Sequence, residues 1–316
     1  MSKSSGNQMK RVSLFFAILL ISTAALAQDH SSRPRILGIA GVDLRSEDWR
    51  KSKAFYSKIL ESDVPCVWCG DPRLVLFYAF NDQYVLVSPH LPNDPATALW
   101  KITFQTDSVP ALRTFLKNHK VQVSEAPTQE FPDDYLATTD PEGHRIGFTD
   151  RKRTVASTTS GQPIMRIIHA GFVVKSRATE DSFYKNILGF HIYWHGGMKD
   201  SDTDWVDMQV PDGTDWLEYM LNVSDTEDKK ELGVMNHIAI GVSDIESAAY
   251  RIQKNGLTPT EQPQIGRDGK WQLNLYDADD TRVEFMEFTP IQRPCCSDFT
   301  GPHPRPQSAL KATSQP

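Results

Sequence analysis

Cysteine is scarce in this chain, with four residues in 316: Cys66, Cys69, Cys295 and Cys296. That scarcity excludes a disulfide-dense scaffold. Pro65 and Trp68 around Cys66-x-x-Cys69 do not make a thioredoxin-type redox site, and two adjacent cysteines near a Pro-rich tail lack zinc-site spacing. The expectation is one or two structural bridges, or free thiols. Excess positive charge is also missing. The net charge is −6 and the charged residues are scattered, so there is no basic footprint for nucleic acid. After Ala27 no apolar run is long enough to span a membrane. What remains is 39% hydrophobic and 23% charged, the composition of a soluble globular protein long enough for two domains.

The first residues read as a targeting segment. Lys3, Lys10 and Arg11 precede an apolar run from Val12 to Ala25, and Ala25-Leu26-Ala27 supplies a small-x-small cleavage site. Residues 1–27 are therefore expected to be a secretory signal peptide, with export to the periplasm or the outside of the cell and no stable membrane insertion after cleavage.

The rest divides into four units that share one order, strand, helix, then strands. The first opens with a strand from Arg35 to Leu44, continues with a helix from Asp48 to Leu60, and closes with strands from Arg73 to Phe80 and Gln83 to Ser88. The second has a strand from Leu99 to Gln105 and a helix from Ser108 to Asn118, with Ser108 as N-cap. Its last strands, Tyr135 to Thr138 and His144 to Thr149, flank the turn Asp140-Pro141-Glu142-Gly143. Residues 151–164 are polar and Ser/Thr-rich, marking a linker. The third unit runs from a strand at Met165 to Val174 through a helix at Thr179 to Leu188 to strands at Phe190 to His195, Trp205 to Val210 and Trp216 to Leu221. The fourth opens at His237 to Val242. Its helix carries the capping box Ser243-x-x-Glu246, and its last strands are Trp271 to Tyr276 and Arg282 to Phe288. Residues 291–316, rich in Pro and polar groups, are expected to be disordered. The polar, Gly-containing stretch from Gly196 to Asp204 reads as a lid.

One constellation proposes chemistry. His169 opens the third unit and Glu218 closes it; His237 opens the fourth and Glu284 closes it. Two neutral imidazoles and two carboxylates are a complete ligand set for one divalent metal ion, with Zn, Ni, Co, Mn and Fe all suited. On strand alternation His169 shares a face with Ile167 and Gly171, and Glu218 with Trp216 and Met220. A carboxylate among large apolar neighbours is costly to bury unpaired, and a cation would supply the missing charge. Glu287 falls on the face opposite Glu284. Trp216, Met220, Trp205 and Trp271 are the expected substrate-pocket residues, with Trp194 and Tyr219 as further aromatic candidates.

The repeated βαβββ order resembles the vicinal oxygen chelate superfamily, also called the glyoxalase/bleomycin-resistance/dioxygenase superfamily. The resemblance covers about residues 35–150 and 165–290. It is carried most specifically by Phe183-Tyr184-Lys185-Asn186-Ile187-Leu188-Gly189-Phe190, by Asn236-His237-Ile238-Ala239-Ile240-Gly241-Val242, and by the ending Tyr276 to Phe285. It implies an α+β fold of two domains with curved mixed β-sheets, each built from two modules. Metal ligands would project from the first and last strands of each module. Aligned on the modules, residues 35–150 put Ile39 at the place of His169, Lys101 at that of His237, Leu86 at that of Glu218 and Gly147 at that of Glu284. The first domain is thus expected to be degenerate and metal-free, and residues 165–290 to be the metal-binding domain.

The His, Glu, His, Glu order is that of glyoxalase I. It implies a metal-dependent lyase or isomerase acting on a small hydroxycarbonyl substrate through a metal-stabilised enediolate, with Glu284 or Glu218 moving the proton. The alternative is a type I extradiol, ring-cleaving dioxygenase with Fe(II). That family places a His where this chain has Glu218 and a Tyr about where Asn274 lies. A third reading is a non-catalytic small-molecule-binding protein of the bleomycin-resistance kind. The partner is in each case a small molecule. Whether modules three and four share a cleft within one chain or across a homodimer is left open.

Overall fold

The computed structural model describes residues 32–60, 76–80, 82–94, 97–124, 134–151, 165–224 and 228–306, with residues 76–80 described by backbone alone. The expected signal segment, Cys66, Cys69 and residues 152–164 of the expected linker lie outside the described residues. The N-terminal half consists of β1 (Ile36–Ser46), α1 (Trp49–Leu60), β2 (Leu76–Phe80), β3 (Gln83–Pro89), β4 (Leu99–Thr106), α2 (Val109–Asn118), β5 (Tyr135–Thr139) and β6 (Arg145–Thr149). The C-terminal half consists of β7 (Arg166–Val173), α3 (Arg177–Tyr184), β8 (His191–Gly196), β9 (Trp205–Gln209), β10 (Trp216–Met220), α4 (Lys229–Met235), β11 (His237–Val242), α5 (Ile245–Lys254), β12 (Gln264–Ile265), β13 (Trp271–Tyr276) and β14 (Arg282–Glu287). Modules three and four show the full βαβββ order. Modules one and two show three strands each among the described residues.

Local chemistry explains the helices. In α2 the Ser108 side chain accepts the Ala111 N–H, and Val109, Leu112, Phe115 and Leu116 turn one apolar face to the core. In α5 the cap is Asp244, which accepts from Ser247, rather than the expected Ser243. The expected box was one residue out of register because an Asp follows the Ser. α3 starts at Arg177 behind the cap Ser176 and stops at Tyr184, earlier at both ends than its apolar pattern suggests. Helix α4, capped by Asp228, was not foreseen from its short, charged sequence.

The strands form two mixed sheets, β2-β3-β1-β4-β6-β5 and β12-β13-β14-β11-β7-β10-β9-β8. In each, an antiparallel pair joins two modules, β1 with β4 and β7 with β11, and a parallel partner flanks each member of the pair. Modules three and four therefore share one sheet within one chain. A single hydrophobic core of strand and helix residues runs through both halves.

Polar contacts cross between the halves at defined points. The buried Gln83 amide donates to Ile39 O at 2.7 Å and Ile167 O at 2.9 Å, and accepts the Ile167 N–H at 2.7 Å. It thereby ties the first strand of each domain to the other. The buried Asp215 accepts the Ile39 N–H at 2.9 Å and pairs with Arg166.

The strand registers correct one expected equivalence. Gly41 faces both Thr103 and Tyr84, as His169 faces Ala239 and Trp216. Gly41, not Ile39, thus stands where His169 does. Register shifts in β1 between Ile39 and Gly41 displaced the sequence alignment by two residues. Leu86, Lys101 and Gly147 keep their expected places. The Tyr84 ring occupies the space that a side chain on Gly41 would need, and the Tyr135 hydroxyl does the same over Gly147. The Lys101 ammonium lies 2.7 Å from Asp43 and 5.2 Å over the Tyr135 ring. Burial opposes its charge, but Asp43 and the two tyrosines outweigh burial and hold Lys101 above its ordinary value. The N-terminal sheet therefore carries a covalently tethered cation at a metal-ligand position.

For residues 291–306 the expected disorder is also corrected, while residues 307–316 lie outside the described residues. Residues 291–306 run as a strap along β8, the edge strand of the second sheet. The Thr300 N–H donates to Tyr193 O at 3.0 Å, the Cys295 N–H to Arg267 O at 2.9 Å, and Gln209 to Pro302 O at 2.9 Å. Cys295 and Cys296 are bonded to each other. The strap is aperiodic, so its sequence carries no helix or strand signal; it is held by covering an otherwise unpaired edge and by packing Phe299 and Cys295 on an apolar cluster. The Gly196–Asp204 stretch, read as a lid, is the turn between β8 and β9. It is pinned by Asp204 and by Arg267, which donates to Gly197 O at 3.2 Å.

Two stability measurements follow. Lys101→Met should destabilise the fold by about 3–5 kcal/mol by leaving Asp43 buried and unpaired, and Lys101→Met/Asp43→Asn should recover much of that loss in a urea titration. Truncation after Pro290 should lower Tm by roughly 4 °C or more; an unchanged Tm would mean that the strap contributes nothing.

Candidate metal centre

The centre is built on the β7–β11 junction. Pairing sets Ala239 opposite His169 and His237 opposite Gly171. The parallel partners add Glu218 beside Gly171 and Glu284 beside Ala239. Four strands thus bring four side chains to one face. The His237 ring lies over Gly171, where a Cβ would collide with it, so this glycine is required by close approach. A register shift in β7 splits Ile167 from the site. Ile167 goes to the main core and Ile168 to the small cluster around Trp194 and Trp216, so the expected face-sharing of Ile167 with His169 does not hold.

His169 Nε2 and His237 Nε2 are 3.1 Å apart. Glu218 Oε2 is 2.9 Å from His237 Nε2 and 3.8 Å from His169 Nε2, and Glu284 Oε2 is 3.5 Å from His169 Nε2. His169, Glu218 and His237 offer ligand atoms that all lie within 4.8 Å of one another. Two imidazole nitrogens so close repel unless a proton or a cation lies between them. Two nitrogens and the Glu218 carboxylate so grouped, with Glu284 beside His169, fit one divalent cation. The His237 Nδ1 sits 3.1 Å from Met235 O, and the Arg282 guanidinium lies 3.0 Å from Nδ1 and 2.9 Å from Nε2.

The charges are matched to that role. Burial pushes the Glu218 carboxyl up, but the His237 hydrogen bond, both imidazoles and Arg282 outweigh it, leaving it lowered to about 2. Burial likewise opposes ionisation of Glu284, while His169 and Arg282 lower it overall. Burial and the Arg282 charge lower His237, favouring the neutral form that a metal requires.

Beside these groups lies a cavity of about 90 Å³, lined by Trp194, Trp205, Trp216 and Met286 on its apolar side and by Asp207, Arg267, Asp268, Gln272 and Arg282 on its polar side. Trp205 and Trp216 take the places expected of them. Met220 and Trp271 do not line it. Met220 sits at the far end of β10 opposite Trp205, and Trp271 packs against the main core. Glu287, on the opposite face, accepts the Ile245 N–H at the start of α5. Arg282, Asp207 and the Lys270–Asp268 pair went unrecognised as site residues in the sequence. Arg282 was accessible to alternation, lying two residues before Glu284. Asp207 is the cross-strand partner of Glu218, which only the register reveals. Burial, then the neighbouring Glu218 charge, raises Asp207 well above the ordinary carboxylate range. Lys270 is fully buried, 3.0 Å from Asp268 and 4.6 Å over the Trp216 ring.

Residues 166–285 match the family model described as the Glyoxalase/Bleomycin resistance protein/Dioxygenase superfamily. No curated protein matches the chain. Among solved structures it is similar to homoprotocatechuate 2,3-dioxygenase from Arthrobacter globiformis, with 16% identity, 81% of this chain and 80% of that one covered, and a TM-score of 0.60. It is also similar to the enzyme of that name from Brevibacterium fuscum in complex with 3,4-dihydroxyphenylacetate, with 17% identity, 80% and 81% coverage, and a TM-score of 0.59. A third similar structure is an extradiol ring-cleaving dioxygenase from B. fuscum, with 16% identity, 84% and 74% coverage, and a TM-score of 0.60. At these identities the likeness shows a shared fold.

Gly171→Ala alters no ligand, yet it should weaken divalent-cation binding roughly 10–100-fold, the range seen when groups that orient ligands are changed. Elemental analysis and cation titration would check this; unaltered binding would mean that the ring is free to move aside.

Proposed function

Because residues 166–285 belong to the glyoxalase/bleomycin resistance protein/dioxygenase superfamily, we propose that the C-terminal domain is a metal-dependent lyase or isomerase of glyoxalase type acting on a small hydroxycarbonyl compound. The observation that carries this reading is the grouping of His169, Glu218 and His237, with Glu284 3.5 Å from His169. A divalent cation held there would supply Lewis acidity toward two adjacent substrate oxygens.

The chain's own residues would do the rest. Glu218 and Glu284 are both held ionised by their surroundings, so either carboxylate can accept a proton from the carbon next to the carbonyl. Asp207, kept toward its protonated form by burial and by Glu218, is a proton reserve in the cavity wall. Arg282, 3.9 Å from Glu218, offsets negative charge on the substrate side. Trp194, Trp205 and Trp216 exclude water. A cavity of about 90 Å³ supports a small reacting fragment. The leader sequence supports action outside the cytoplasm.

A second reading, the extradiol dioxygenase, is favoured by the solved structures of that fold. Two features weigh against it. Glu218 adds a second carboxylate to the ligand set. Asn274 donates to Glu261 at 3.0 Å at about the place where that family has a phenol.

Metal-free protein reloaded separately with Zn, Ni, Co, Mn or Fe(II) separates the readings. With a panel of α-hydroxycarbonyl compounds in D₂O, NMR should show exchange or isomerisation at the carbon next to the carbonyl, reduced at least about 100-fold in Glu218→Gln or Glu284→Gln. Oxygen uptake with catechols, in the Fe(II) form alone, would replace this reading with the dioxygenase. Tight small-molecule binding by metal-free protein, with no turnover under either condition, would leave a binding module.

A further inference from the structure

The two domains meet through a polar joint that occurs twice. In one copy the Asp277 carboxylate accepts the N–H groups of Asp279 and Thr281 through Oδ1 and the Tyr56 hydroxyl of α1, at 2.9 Å, through Oδ2. In the other, Asp140 accepts the N–H groups of Glu142 and His144 through Oδ1 and the Tyr184 hydroxyl of α3, also at 2.9 Å, through Oδ2. In both copies the tyrosine belongs to one domain and the turn to the other. The first copy shows what the joint needs in order to fold: one carboxylate, its turn, and a tyrosine hydroxyl.

The second copy carries two additions. His144 stands where the first copy has Thr281. Glu180, one helical turn before Tyr184, stands where the first copy has Ser52, whose hydroxyl pairs with Ser46 at 2.7 Å. The His144 Nδ1 lies 2.8 Å from Asp140 Oδ2. Glu180 is 0% exposed. Its Oε1 accepts the Glu142 N–H at 3.0 Å, while its Oε2 is buried with no hydrogen-bond partner. Asp140, His144 and Glu180 offer ligand atoms that all lie within 4.8 Å of one another.

Two buried carboxylates that face each other must share a proton, draw positive charge from the His144 ring beside Asp140, or hold a cation. A shared proton would satisfy the carboxylates and leave the His144 ring bonded to Asp140 alone, although the Asp277 copy folds with a threonine there. A cation uses all three groups. It also has an entry path: His144, Gly143 and Phe172 line a cavity of about 570 Å³ between the domains.

The geometry points to a second divalent-cation site, with Asp140 and His144 of the N-terminal domain and Glu180 of the C-terminal domain as ligands. One imidazole and two carboxylates suit a cation of the Mn²⁺ or Zn²⁺ kind. Because the ligands come from both domains, the bound cation clamps them together. This site is separate from the centre at His169 and does not depend on the reaction proposed there.

Equilibrium dialysis against Mn²⁺ or Zn²⁺, with metal counted per chain, tests it in the wild type, His169→Ala, Glu180→Gln and the double variant. Glutamine preserves the shape of Glu180 and can donate to Asp140, so the joint survives its introduction. The expected counts are two, one, one and none. In His169→Ala the cation should raise Tm, and in the double variant that rise should vanish. Should Glu180→Gln fold poorly by circular dichroism, His144→Asn takes its place with the same expected counts. A cation count in Glu180→Gln equal to wild type would overturn the site. So would a wild-type count of one that His169→Ala abolishes, which would leave the Asp140–Glu180 pair held by a shared proton. Failure of the centre at His169 would show separately, as a count unchanged by His169→Ala.

Discussion

The antiparallel contact between β7 and β11 is the constraint on which the site depends. It sets His169 opposite Ala239 and His237 opposite Gly171, bringing two imidazoles from residues 68 positions apart to within 3.1 Å. Side chains alternate faces along a strand, so a slip of one residue would send an imidazole to the other side of the sheet. The parallel partners β10 and β14 then have only to deliver one carboxylate each at the matching level. Glycine at 171 is the cost of this close approach, since any side chain there would take the volume of the His237 ring.

The same architecture is solved differently in the two sheets. Both join their modules by an antiparallel pair and flank it with parallel strands. In the second sheet the convergence point gathers donors for a cation. In the first, two of the four equivalent positions are glycine, tyrosine rings take the space, and an ammonium paired with Asp43 supplies positive charge from within the chain. Such a charge can neither dissociate nor open a coordination position. At that point the first sheet therefore offers tyrosine packing and an internal ion pair where the second offers imidazoles and carboxylates.

Much of this was legible in the sequence, for identifiable reasons. Hydrophobic alternation located most of the described strands, and the repeated His and Glu positions named the four converging side chains. The legible features were periodic or repeated. Those that escaped depend on register and tertiary contact. The bulge in β1 moved an equivalence from Ile39 to Gly41, and the shift in β7 put Ile168 rather than Ile167 on the side of His169. Asp207 became a site residue only as the cross-strand neighbour of Glu218. Met220 and Trp271 were read as pocket residues from their type and neighbours, but strand length and edge position turn them elsewhere. The strap at 291–306 has a composition suited to disorder, and its order comes from the edge of β8.

That strap also has a consequence for the order in which the molecule can be finished. Its residues follow in the chain every strand on which they lie. Tyr193, Trp194 and Lys270, which the strap covers or contacts, must wait through synthesis and any translocation before they are shielded. Until then a nascent chain has its ligand strands paired but one aromatic wall of the pocket open to solvent. Closure of that wall therefore needs the last described segment of the chain, whereas the four ligand-bearing strands end by Glu287.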